Sequence, residues 1–208
     1  LRICDMAMGS GAFLVQVCRY LAERLVEAWE NEEKKHPGEV LITPEGKFSA
    51  GVPSERLVPV EANERIAIAR RVVADRCLYG VDINPMAVEM AKLSLWLITM
   101  DANRPFTFLD HAIKCGDSLI GVQLAEQVST FHLRPERGRA RGAIFDYVTA
   151  HGVQLLERAR EKREQLERFT VLDIRDAEFK GRLHREAEAA LAEVRLVCNL
   201  IVGAGLAT

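Results

Sequence analysis

The sequence predicts an α/β fold built on a parallel, doubly wound sheet, and three observations carry that prediction. Short apolar segments at Leu1–Cys4, Cys77–Val81 and Ala112–Cys115 each run into a carboxylate within two residues, at Asp5, Asp82 and Asp117. The runs between the first two pairs place apolar residues every three or four positions, the period of helices that pack on a sheet. A strand followed by a crossover helix and another strand keeps neighbouring strands parallel. Ligands in such sheets bind beyond the carboxyl ends of the strands.

The elements follow in order. After the first strand and a glycine turn, Leu14, Val17, Cys18, Leu21, Leu25, Ala28 and Trp29 mark the apolar stripe of a helix that fades near Glu32. Residues 31–60 mix charges, prolines and glycines with little periodicity, and are expected to form a long surface loop inserted between elements. Helical spacing returns over Glu61–Arg76 through Ile66, Ala69, Val72 and Val73. The second strand, Cys77–Asp82, leads to Asn84-Pro85, a capping residue followed by proline at the first helical position. The helix from Met86 to about Met100 is apolar on most of its circumference and is expected to be deeply buried. Beyond the third strand, Gly116-Asp117-Ser118-Leu119 closes the periodic part of the chain.

Composition limits the classes of function. Formal charge is −2, so contact with nucleic acid needs a local basic face. The five cysteines are scattered, odd in number and without a Cys-x-x-Cys pair, which argues against a disulfide framework or a metal site and for a reducing interior. No signal or transit peptide is recognisable, and the most apolar run, Met86–Met100, is interrupted by Glu89, Lys92 and Ser94. The expectation is a cytoplasmic protein without a membrane partner.

The decapeptide Asp5–Leu14, Asp-Met-Ala-Met-Gly-Ser-Gly-Ala-Phe-Leu, carries most of the functional information. A carboxylate at a strand end, two glycines and a helix start make a site for a small polar molecule. The dinucleotide fingerprint fails because Leu14 stands where a third glycine belongs, and the phosphate loop fails because no lysine occurs between Leu1 and Asn31. The decapeptide instead resembles the Asp-Pro-Ala-Cys/Met-Gly-Ser-Gly-x-Phe/Leu motif of N6-adenine DNA methyltransferases from restriction-modification and phage-defence systems. The resemblance covers residues 1–121 and implies a partial Rossmann-like methyltransferase core of about three parallel strands that binds S-adenosylmethionine.

The resemblance implies the following roles. Asp5 and the loop Ala7, Met8, Gly9, Ser10, Gly11 and Phe13 surround the methionine and sulfonium end. Asp82 receives the ribose hydroxyls, with Ile83 against the adenine. Asp117 accepts from the adenine amino group, with Ser118 and Leu119 beside it. Met6 departs from the family's proline, which loosens the loop's backbone preference without removing a ligand group. Asn84-Pro85 is followed by Met86 and reads as a helix cap. Gly116-Asp117-Ser118-Leu119 also spells a serine-hydrolase motif, rejected because no Asp-x-x-His follows.

The larger departure is that no Asn/Asp-Pro-Pro-aromatic motif occurs, the element that would hold the target amine of a flipped adenine. No residue is therefore assigned as catalytic. The chain reads as a fragment that binds cofactor without transferring methyl, from an enzyme whose complete form binds double-stranded DNA. The alternatives are a methyltransferase acting on RNA or protein, and a nonenzymatic assembly module with a vestigial pocket. Residues 122–208 match no recognised motif. They carry an arginine-rich loop (Arg134, Arg137, Arg139, Arg141) and two long helices, about Tyr147–Arg168 and Asp176–Val202, forming a helical hairpin that serves as insertion or spacer. Their seam is expected at Val153, Leu156, Ala159 and Leu166 against Leu183, Ala187, Leu191, Val194 and Cys198. An incomplete sheet exposes an edge, so self-association of the fragment, or a rearranged terminal segment around Leu200–Leu206, is expected.

Overall fold

Apolar spacing and turn chemistry produce a three-stranded parallel sheet with helices on it, seen in a computed structural model that describes residues 1–36, 42–49, 57–100, 109–138, 143–168 and 174–207. The elements are β1 (Ile3–Asp5), α1 (Ala12–Lys35), α2 (Ala62–Arg76), β2 (Leu78–Asp82), α3 (Pro85–Thr99), β3 (Ile113–Cys115), α4 (Ala125–Ser129), a 3-10 turn at Pro135–Arg137, α5 (Ala143–Arg168) and α6 (Ile174–Leu206). The chain divides into two compact units, Leu1–Gly116 with Val171–Ala177, and Asp117–Thr170 with Glu178–Thr208.

In the first unit the sheet order is β1-β2-β3, all parallel. Ile3 lies opposite Leu78, and Gly80 is flanked by Asp5 on one side and Ile113 on the other. Leu78, Gly80 and Ile113 share one face and are buried beneath α1, α2 and α3, which pack against one another. Cys4, Tyr79, Val81 and Lys114 point the other way and none is buried. The helices α1, α2 and α3 thus lie on one face, and the double winding expected from the sequence is not formed by them.

The stripe on α1 works as its spacing predicts. Leu14, Cys18, Ala22 and Trp29 are buried, and the helix runs three residues past Glu32 to Lys35. Arg65 of α2 reaches Glu33 of α1 at 2.6 Å, a pair that ties the two helices at the sheet's back. α2 begins at Glu61, whose carboxylate accepts from the Glu64 amide at 2.7 Å. Asn84 caps α3 by accepting from the Met86 amide at 2.9 Å, with Pro85 in the first turn, as the sequence indicates.

Two expectations change. The segment 31–60 is not simply surface loop: Ile42 and Val58 are buried in the core, the Val58 amide donates to the Ile42 carbonyl, and Glu45 pairs with Arg76 of α2. Ile42 and Val58 sit in the short apolar runs Val40–Ile42 and Leu57–Val60, too brief to establish a period, so their burial was invisible to spacing; residues 37–41 and 50–56 lie outside those described. Similarly, α3 is not deeply buried throughout. Val88, Ala91, Leu95 and Thr99 face the core, whereas Met86, Met90, Leu93, Leu97 and Met100 are exposed.

The second unit contains the helical pair. Lys162 of α5 meets Glu186 of α6 at 2.8 Å, and His151 meets Glu193 at 3.1 Å, the crossed pairing of an antiparallel hairpin. Ala159, Leu166, Leu183, Ala187, Val194 and Ile201 form buried positions along it, while Leu156, Leu191 and Cys198 are half-buried. The stretch Glu178–Leu206 is long and apolar enough by length and composition to cross a membrane, which the sequence reading assigned to no segment. It carries Glu193 and Arg195, and little of its most apolar window is buried.

Candidate functional site

The carboxyl ends of β1 and β2 meet the glycine loop, and the geometry there starts with the backbone. Asp5 Oδ1 accepts from the Ala7 amide at 3.1 Å, turning the chain as it leaves β1. The Met8 amide donates to the Val81 carbonyl at 3.1 Å, pulling the loop onto β2. Gly9 and Gly11 take φ of +55° and +81°, the left-handed region that favours glycine, and the Gly11 amide closes the turn onto the Met8 carbonyl at 2.9 Å. A side chain at Gly11 would also stand 3.0 Å from Cβ of Ala91 on α3.

A third glycine matters that motif reading missed. A Cβ on Gly80 would lie 2.3 Å from Met8 Sδ and 2.9 Å from Leu14 Cδ1. Met8 is 5 % exposed and sits directly on that bare stretch of β2. A glycine inside a strand is the general signal for such a close approach, and it was available in the sequence.

Asp82 connects the two halves of this tip. Its Oδ2 accepts from the Gly9 amide and its Oδ1 from the Asn84 amide, both at 2.9 Å. These backbone donors, Asn84 first and Gly9 second, hold its carboxyl below the usual carboxylate range. The folded form is therefore favoured by this group above its ordinary value of 3.8, and the contribution is lost as pH falls through the depressed value. Each oxygen keeps a lone pair beyond the one used, so the carboxylate can accept from a vicinal diol.

The surroundings suit a nucleoside-like ligand. Nothing lies within 4 Å of where a Cβ on Gly9 would stand, leaving open ground beside the loop. The first turn of α1 has no side-chain cap, so its amides retain capacity for an acceptor. Phe13 and Ile83 are exposed apolar surfaces at this end of the unit. Asp5, Ala7, Met8, Gly9, Ser10, Gly11, Phe13, Asp82 and Ile83 all belong to the first unit. Asp117 and Ser118 open the second, where Asp117 Oδ1 accepts from the Leu119 and Ile120 amides at 2.8 and 3.1 Å and its other oxygen takes no part in that turn.

The cysteines near the core are structural. Burial pushes the Cys18 thiol up to about 12, and it donates to the Arg70 carbonyl at 3.5 Å. No group of three or more potential metal ligands occurs among the described residues.

A parallel sheet bearing a glycine loop clamped by an acidic strand end defines an α/β protein whose candidate site lies at the strands' carboxyl edge. Residues 76–149, a minority of the chain, match the family model described as Eco57I restriction-modification methylase, so that stretch is similar to restriction-modification methyltransferases. The matched stretch holds β2, α3, β3 and both Asp82 and Asp117, and begins well after the Asp5–Leu14 loop. No curated protein and no solved structure matches the chain.

Proposed function

We propose that the chain is the S-adenosylmethionine-binding portion of an adenine-N6 DNA methyltransferase of a restriction-modification or phage-defence system. The observation that carries this reading is the clamp of Asp82 on Gly9, which joins the family-matched β2 end to the motif-bearing loop. Asp5 and the loop Ala7–Phe13 hold the amino-acid end of the cofactor, Asp82 accepts from its ribose, and Ile83 packs on its adenine. The cofactor supplies a methyl group on an electrophilic sulfonium. The chain's own part is to bind and orient, because it contains no Asn/Asp-Pro-Pro-aromatic motif to hold a target amine.

Calorimetric titration with S-adenosylmethionine tests the reading. Wild-type chain is expected to bind at one site, and Asp82→Ala to weaken binding by about tenfold or more, the effect of losing hydrogen bonds to a charged acceptor. Equal affinity in the variant, or no binding by the wild type at millimolar ligand, would remove the cofactor assignment. Retained cofactor binding with RNA or protein as the methyl acceptor of the complete enzyme would keep the cofactor half and overturn the DNA half.

A further inference from the structure

The second unit contains a cavity of about 550 Å³ lined by Phe131, Leu133, Arg134, Arg137, Ile201 and Gly205, with His132 and Ala204 at its wall. That size lies within the roughly 300–1,000 Å³ typical of small-molecule sites. Its residues are those of neither the glycine loop nor the strand ends, and nothing in the methyltransferase reading uses them.

The cavity is built. Gln127 organises the loop above it: its Oε1 accepts from the Gln123 and Leu124 amides, and its Nε2 donates to the Leu133 carbonyl at 2.8 Å. The His132 amide returns to the Gln127 carbonyl, and the Arg134 amide donates to His132 Nδ1 at 2.9 Å. Phe131 is held at φ 51°, an unfavourable conformation for a bulky residue, which aims consecutive residues of one short loop at the cavity. Gly205 of α6 admits Leu133 so closely that a Cβ would overlap it, which seats the loop on the helix.

Its chemistry is two-sided. Ile201 is 1 % exposed and joins Phe131 and Leu133 in an apolar wall. Arg134 precedes the proline-initiated 3-10 turn and Arg137 ends it, and neither guanidinium has a carboxylate partner among the described residues. Among the described residues no carboxylate lines the cavity; Glu136, between them in sequence, is exposed and outside the described lining. Paired guanidinium forks match phosphate oxygens, and an apolar wall with an aromatic ring suits the sugar and base attached to them. Arg139 and Arg141 lie outside the described residues and are not needed for this argument.

We propose that this cavity binds a nucleoside phosphate, with Arg134 and Arg137 on the phosphate and Phe131, Leu133 and Ile201 against the nucleoside. The same chemistry is presented by a free nucleotide and by one unit of a nucleic-acid strand. Adenosine monophosphate, inorganic phosphate, adenosine and a ten-nucleotide single strand are titrated calorimetrically, all in the Asp82→Ala background, which weakens any contribution from the glycine loop. Adenosine monophosphate or the strand is expected to bind at least about tenfold more tightly than phosphate or adenosine alone, and to lose about tenfold in Arg134→Ala/Arg137→Ala. Ala204→Phe, at an exposed helical position, fills the cavity while keeping both charges, and is expected to weaken the same ligands. Binding of both probes assigns a free nucleotide as a sufficient source, and binding of the strand alone assigns nucleic acid. Binding of neither, or binding unaffected in both variants at unchanged melting temperature, would overturn the proposal. S-adenosylmethionine affinity, measured with Asp82 intact, is expected to be the same with and without Arg134 and Arg137, so the two readings fail in separate titrations.

Discussion

Asp82 shows how one side chain serves local structure and site at once. It ends β2, starts the turn into α3 through the Asn84 amide, and reaches across 73 positions in sequence to the Gly9 amide. Those two bonds order the loop in advance, which reduces the entropy a ligand must remove on binding. Gly80 makes the arrangement sterically available. Gly80→Ala is expected to destabilise the chain by about 1–3 kcal/mol, as overpacking in a close-packed core does, because Met8 and Leu14 must both move. Urea denaturation measures it: the midpoint falls with unchanged slope, whereas an unchanged midpoint would mean that the loop does not rest on β2. Asp5, Gly9, Gly11 and Asp82 were legible in the sequence because strand-end carboxylates and paired glycines are local patterns. The burial of Met8 and the donation from Gly9 to Asp82 were not, since both depend on which strand lies beside the loop.

At the scale of elements, α1 is the strut of the first unit. Its buried stripe ends at Trp29, which is 2 % exposed and whose indole Nε1 finds no hydrogen-bond partner among the described residues. Trp29→Ala is expected to cost about 3–5 kcal/mol through the cavity left behind. Trp29→Phe is expected to cost far less, because it keeps an aromatic ring and removes a buried donor that water would otherwise satisfy. Equal losses in the two variants, by chemical denaturation, would show that the indole nitrogen matters more than packing. The stripe itself was readable from three- and four-residue spacing, and so were the cap of α3 and the seam of the hairpin. The inward placement of Ile42 and Val58 was not readable, because two short apolar runs in an otherwise polar segment have no period to say which residue faces the core. The one-sided exposure of α3 escaped for the opposite reason: apolar residues on nearly every face leave no contrast between core and surface.

For the whole molecule, the division between Gly116 and Asp117 separates the sheet and its glycine loop from the hairpin and its arginine cavity. The first unit bears the motif on which the cofactor reading stands, and the family match crosses from one unit into the other. The most direct test of the central claim is residue-resolved amide NMR of the isotopically labelled chain during titration with S-adenosylmethionine. The account predicts saturable shifts concentrated at Ala7, Gly9, Gly11, Asp82 and Ile83, absent in Asp82→Ala at the same ligand concentration. Shifts confined to other parts of the chain, or equally strong in the variant, would contradict it.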